Sequence, residues 1–239
     1  MNMAEEKIAL VTGCDRGLGP ALADGLEALG WRVVRCALEG AEKAAESGGG
    51  RAALRMDISR DDSVRAAAEE ISRLIPRLDL LVNNAGILGD MEKTLGEDID
   101  TQEILRVFNV NALGTLRVTN AMTPLLIRSA APVVLNISSE AGSVGTCWRR
   151  GWWGYCMSKA ANNMQGAIAH NVLRPLGGRV IQMHPGHMAT YMRGHLDETA
   201  RFTPAEAAER ILRTLFSPDL KAVDEHPLFI DLDGKEMAW

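Results

Sequence analysis
Aromatic residues are scarce. Phe, Trp and Tyr together supply 5% of the 239 residues, and only two residues are tyrosine. Small aliphatic residues and glycine dominate instead, a mixture that suits helices packed closely on a parallel sheet. No apolar run approaches the roughly 18 residues of a membrane span, and Met1 to Lys7 lacks the apolar core of a signal peptide. There is no basic excess. A net charge of -5 weighs against nucleic acid and anionic membranes as partners. The four cysteines, Cys14, Cys36, Cys147 and Cys156, form no C-x-x-C pair, so no disulfide framework is indicated. The expectation is a cytoplasmic protein. No repeat or dividing linker occurs, so one domain is expected over 1–239.

Short apolar runs alternate with helical patterns. Strands are expected at Ile8–Thr12, Trp31–Cys36, Ala52–Met56, Leu78–Val82, Pro132–Ser138, Gly178–His184 and Leu228–Leu232. Helices are expected at Gly17–Leu29, Ser63–Ile75, Tyr155–Leu173 and Pro204–Phe216, with one long helix over Thr101–Ser129 bent or closed by Pro124. Ala41–Gly50 reads as a short helix and loop, and His187–Thr203 as a substrate lid. This alternation implies right-handed crossovers and a doubly wound, Rossmann-type α/β sheet of about seven strands. Ligands of such sheets bind beyond the carboxyl ends of the strands.

Chemistry-bearing motifs fall at those ends. Thr12-Gly13-Cys14-Asp15-Arg16-Gly17-Leu18-Gly19 joins the first strand to the first helix. Its glycines permit close backbone approach, and the free N–H groups of the helix start suit a pyrophosphate. It has no G-K-[ST] ending, which excludes a P-loop. Tyr155-Cys156-Met157-Ser158-Lys159 sets a phenol and an ammonium on one helix face. A phenol of pKa near 10 holds its proton too tightly to act as a base at neutral pH. A nearby cation is expected to lower that pKa by about 1–3 units. His184, His187 and His195 lack supporting carboxylate or cysteine spacing, so no metal site is expected.

The spacing T-G-x-x-x-G-x-G together with Y-x-x-x-K resembles the short-chain dehydrogenase/reductase family. Three further motifs fit it in order: Asn83-Asn84-Ala85-Gly86, Asn109-Val110-Asn111-Ala112-Leu113-Gly114, and Pro185-Gly186 followed by Thr190. The run Ser158-Lys159-Ala160-Ala161-Asn162-Asn163-Met164 and the ending Phe229-Ile230-Asp231-Leu232-Asp233-Gly234 resemble the small C-factor-like carbonyl reductases. The resemblance covers the chain from Lys7 to Trp239. It implies hydride transfer between a nicotinamide and a carbonyl or alcohol substrate, with Tyr155 as acid/base and Lys159 lowering its pKa and holding the ribose. Ser139 would orient the substrate oxygen, with Ser138 as the structural alternative and Ser143 as a distant one. Asn111, rather than Asn109, would anchor a relay water. Ser139 and Tyr155 are 16 apart where 13 is the usual spacing, which reads as a three-residue loop insertion.

The same resemblance implies a cofactor site of Gly13, Asp15, Arg16, Gly17, Leu18, Gly19, Arg35, Asp57, Ile58, Asn84, Ala85, Gly86, Tyr155, Lys159, Pro185, Gly186 and Thr190. Asp57 meets the adenine or serves as a helix cap. The acid of an NAD enzyme is replaced by Ala37 after the second strand. Arg16 matches the basic residue of NADPH enzymes, with Arg35 adding to it or facing elsewhere. An Arg–phosphate contact is worth about 1.5–3 kcal/mol, so NADPH is expected over NADH. Against this, Leu38 stands where a second arginine is common, and Glu39 opposes a phosphate. Trp148, Trp152 and Trp153 wall the substrate pocket, or pack an oligomer interface or cap the sheet, and Arg149-Arg150 reads as a solvated pair, with recognition of an acidic substrate as the alternative. A homodimer or homotetramer is expected. The alternative function is a catalytically silent cofactor sensor or signalling protein on the same fold.

Overall fold
The computed structural model describes residues 6–39, 53–192, 194–220 and 225–239. In chain order the elements are β1 (Ile8–Thr12), α1 (Leu18–Ala28), β2 (Arg32–Ala37), β3 (Leu54–Arg55), α2 (Asp61–Leu74), β4 (Leu80–Asn83) and α3 (Thr101–Phe108). They continue as α4 (Thr115–Leu126), β5 (Val133–Ile137), α5 (Trp153–Leu173), β6 (Arg179–His184), α6 (Pro204–Leu215) and β7 (Leu228–Asp231). The seven strands form one sheet in the order β3-β2-β1-β4-β5-β6-β7, and every pairing is parallel.

Alternation along the strands builds two cores. Ala9 and Val11 of β1 face one side of the sheet, with Leu22 and Leu26 of α1 and Ile211 and Leu215 of α6. Ile8 and Leu10 face the other side, with Val64 and Ile71 of α2 and Val118 and Met122 of α4. Strand order reverses between β1 and β4, which opens a crevice beyond their carboxyl ends.

The long helix expected over 101–129 is instead two α-helices joined by a π-helical turn, Asn109–Gly114. Side-chain periodicity does not announce one extra residue per turn, so the break was invisible to it. Local contacts hold it. The Asn109 amide donates to the Ser59 carbonyl at 3.1 Å, and a Cβ on Gly114 would meet Ile58 Cδ1 at 2.8 Å. Pro124 lies inside α4, which closes at Leu126. The third strand is two residues long, and α5 begins at Trp153, two residues before Tyr155. The helix and loop expected over 41–50 lie outside the described residues.

Candidate active site
The loops after β1 and β4 are locked together at the crevice. Thr12 Oγ1 accepts from the backbone N–H of Asn84 at 3.0 Å and of Ala85 at 3.2 Å, while the Asn84 amide donates to Thr12 O at 2.9 Å and Gly13 O at 3.2 Å. The Asn84 side chain therefore shapes the loop. A Cβ on Gly19 would lie 2.1 Å from Gly13 O, so the start of α1 sits directly on the turn. Gly17, at φ 74°, caps α1 with no side-chain bond. Thr190 Cγ2 lies 3.6 Å from where a Gly17 Cβ would be, bringing the chain after β6 over the same spot. A cradle of bare glycine backbone at an uncapped helix start fits a dinucleotide pyrophosphate.

Around that cradle, Arg16 is exposed. The Asp15 carboxylate accepts from the backbone N–H groups of Leu38 and Glu39 at 3.1 and 3.2 Å, bracing the turn after β2. Asp57 Oδ1 accepts from both the N–H and the hydroxyl of Ser59, bracing the turn before α2, whose N-cap is Arg60 with no side-chain bond. Arg35 corrects the expectation that it serves the cofactor. It is buried, and its guanidinium is held by Asp24 at 2.6 Å and Glu27 at 3.0 Å on α1. Alternation on β2 turns it toward that helix, where two acids compensate its charge.

Tyr155, Lys159, Ser139 and Asn111 converge where β4, β5, the π-helical turn and α5 meet. Lys159 Nζ lies 5.6 Å from the centre of the Tyr155 ring and donates to Ile137 O at 2.7 Å. Ser139 follows β5, caps a short turn by accepting from Ala141 N–H, and stands close enough to the Tyr155 phenol to pull its pKa down. Ser138 is occupied elsewhere, donating to Asn163 Oδ1 at 2.5 Å, and Ser143 bonds the chain end at Trp239. Asn111 is buried in the π-helical turn. Its amide donates to Ile87 O at 2.8 Å and to Ser158 Oγ at 3.0 Å, and its oxygen accepts from Ile87 N–H. A Cβ on Gly86 would stand 3.2 Å from Asn111 Oδ1 and 3.9 Å from Lys159 Nζ, so this glycine leaves room between them. Asn109 faces Ser59 and Arg117 instead.

Electrostatics correct a second expectation. The phenol is not lowered. Burial, the largest influence, pushes Tyr155 up to about 12, against the smaller downward pulls of the neighbouring Ser139 and Arg149. Burial also lowers Lys159 to about 8. The phenol thus keeps its proton through the neutral range, which suits a proton donor. Both shifts bear on stability. Between about 8 and 10.5 the unfolded chain keeps a lysine proton that the folded chain has released, so stability rises with pH there. Between 10.0 and about 12 the folded chain keeps the phenol proton that the unfolded chain has lost, so stability falls again. Lys159→Met is therefore expected to raise the Tm at pH 7 and to remove the rise above pH 8, as read by thermal melts across pH. An unchanged Tm and pH profile would contradict this cost of burial.

The loop before α5 holds what sequence reasoning missed. Arg149 is 7% exposed and pairs with Glu140 at 2.5 Å, so it is not half of a solvated pair. Its guanidinium lies over the ring of Trp148, at 4.8 Å, and over that of Trp152, at 4.6 Å. Trp152 meets the Tyr155 ring edge-on at 6.1 Å, while Trp148 is 76% exposed and Trp153 donates to Lys93 O. The one signal available was the run of Trp and Arg in that loop. His187 bonds Asp197 at 2.8 Å, and no cluster of His, Cys, Asp or Glu fit for a metal occurs among the described residues.

Comparison with known proteins agrees with this geometry. The family model described as short chain dehydrogenase matches residues 7–201. The C-signal protein of Myxococcus xanthus is 36% identical over 162 residues, covering 68% of this chain and 93% of that protein. Human 17-beta-hydroxysteroid dehydrogenase type 6 is 32% identical over 219 residues, covering 88% of this chain, while this chain spans 66% of that protein's length. The crystal structure of the NADPH-bound carbonyl reductase from chicken fatty liver superposes with a TM-score of 0.83 at 27% identity, covering 99% of this chain and 100% of that one.

Proposed function
Because the chain belongs to the short-chain dehydrogenase family, and is an NAD(P)-dependent oxidoreductase, we propose that it is a carbonyl reductase that prefers NADPH and uses Tyr155 as its proton donor. The reading rests above all on one constellation: a buried phenol beside Ser139 and Lys159, at the edge of a glycine cradle. Bound NADPH supplies a hydride from its nicotinamide. Tyr155 gives its proton to the substrate oxygen, and Ser139 donates a hydrogen bond to the same oxygen. Lys159 would return a proton toward the phenol and bond ribose hydroxyls. Asn111 fixes the backbone at Ile87 and, through Ser158, the first turns of α5. The segment after β6, with Thr190 set over Gly17, would serve as the lid. A panel of aldehydes and ketones with NADPH tests the reading. Cofactor binding without turnover of any member would favour a silent cofactor sensor.

Arg16 would meet the 2′-phosphate of NADPH. No acid stands at position 37 to hold a ribose hydroxyl. Arg16→Ser is expected to lower kcat/KM with NADPH by about 10- to 100-fold and to leave NADH nearly unaffected. Equal losses with both cofactors would end the preference claim.

The exposed side chains Met157, Met164, Ile168 and Val172 line one face of α5, with Leu113 and Leu116 exposed nearby in sequence on the π-helical turn and α4. A second copy of this chain would cover them as a homodimer, or a homotetramer using a second face. Light scattering is expected to give a dimer or larger assembly, and Ile168→Asp a monomer. A monomeric wild type would remove the proposal.

A further inference from the structure
Three local costs gather in one loop beside Tyr155. The Arg149 guanidinium is buried, and its Nε has no hydrogen-bond partner among the described residues. Glu140 Oε2, at the other end of the same ion pair, is buried and unpartnered as well. Trp152, at φ 64° and ψ 31°, is the one non-glycine residue with positive φ among the described residues. A β-carbon in the left-handed region costs about 1–2 kcal/mol, and buried ion pairs with unmet bonds are weak sources of stability. Unsatisfied groups and strain of this kind concentrate where geometry serves chemistry.

The contacts say what the geometry serves. Glu140 is the residue directly after Ser139 and begins the short turn that Ser139 caps. Arg149 reaches back to it across the loop. The guanidinium face supports Trp152, which precedes α5, accepts from Cys156 N–H at 2.9 Å, and sets its ring against Tyr155. One side chain thus joins the turn carrying Ser139 to the start of the helix carrying Tyr155, across the loop between them.

We propose that Glu140 and Arg149 are a positioning pair for Tyr155: their ion pair fixes the distance between the Ser139 and Tyr155 hydroxyls, and their opposite charges bias the phenol proton in opposite directions. This rests on the reading of Tyr155 as proton donor. The charged and titratable groups acting on the phenol are Glu140 after β5, Arg149 in the loop, and Cys156 and Lys159 on α5. Glu140 favours the protonated phenol and Arg149 disfavours it. Neither residue touches the reacting atoms.

The scarcity of tyrosine provides a direct test. Tyr191→Phe leaves Tyr155 as the only tyrosine. In that background, tyrosine labelled with carbon-13 at Cζ reports the phenolate fraction by NMR, at one alkaline pH where circular dichroism shows each variant folded. Glu140→Gln is expected to raise the fraction about threefold and Arg149→Met to lower it about threefold, whereas Arg149→Lys, which keeps the charge, should restore it. In the otherwise unaltered chain, Arg149→Met is expected to lower kcat about tenfold with the KM for NADPH unchanged, because misplacement slows chemistry more than binding. No change in phenolate fraction, or a change of the same sign in Glu140→Gln and Arg149→Met, would overturn the proposal. If Arg149→Met does not fold, an unaltered fraction in Glu140→Gln alone overturns it. The NMR readout needs no turnover, so an inactive wild type with opposite shifts would fault the catalytic reading and not the pair's effect on the phenol.

Discussion

Tyr155→Phe is expected to lower kcat for carbonyl reduction by about 10²–10⁴, the range that a positioned general acid supplies. The phenylalanine keeps the ring that Trp152 meets edge-on and removes only the hydroxyl beside Ser139. Affinity for NADPH should therefore change little, and calorimetry beside steady-state kinetics separates the two quantities. The mutant should also lose the fall in stability between pH 10.0 and about 12, since that fall belongs to the phenol. Retained turnover would move the proton donor to another group.

Gly19→Ala is expected to weaken NADPH binding by about 100-fold, or roughly 2.7 kcal/mol. The new Cβ would lie 2.1 Å from Gly13 O and 2.8 Å from Asn84 Nδ2. The first of these is backbone, held in the turn that Asn84 and Thr12 lock, so it has no flexible end to swing away. The turn must open, and the cradle opens with it. Gly30→Ala is the control. It sits at φ 82° with nothing within 4 Å of a Cβ, so it should cost about 1–2 kcal/mol of stability and leave cofactor affinity alone. Equal loss of affinity in both variants would show that the effect is general destabilisation rather than closure of the cradle.

Much of this was legible in the residues, for identifiable reasons. Strand–helix alternation is a strong periodic signal, and it led to a seven-stranded parallel sheet with its motifs at the carboxyl ends. The separation of four between Tyr155 and Lys159 is helix geometry, and it brought those two groups to one face. Ser139 was separable from Ser138 only by resemblance. The structure adds the cause, since Ser138 is committed to Asn163 and Ser139 faces Tyr155.

Other features left no periodic trace. The π-helical turn that presents Asn111 depends on contacts from Ser59 and Ile58, some fifty residues away in the chain. The role of Arg35 depended on which face of β2 it occupied and on two acids of α1. Arg149 beside Arg150 reads as surface charge, because a loop without periodicity does not reveal that the guanidinium turns back onto Glu140 and lies over the Trp148 and Trp152 rings. The direction of the Tyr155 shift was missed for a related reason. A cation four residues away is visible in a sequence, but the depth of burial that outweighs neighbouring cations is not.

Transfer of label from NADPH dideuterated at the nicotinamide C4 tests the central claim most directly. With wild-type protein and a responsive aldehyde or ketone, deuterium should appear on the carbinol carbon of the product, one atom per turnover, and Tyr155→Phe should nearly abolish it. Tight binding of the labelled cofactor with no deuterium delivered to any carbonyl of a broad panel would contradict the account.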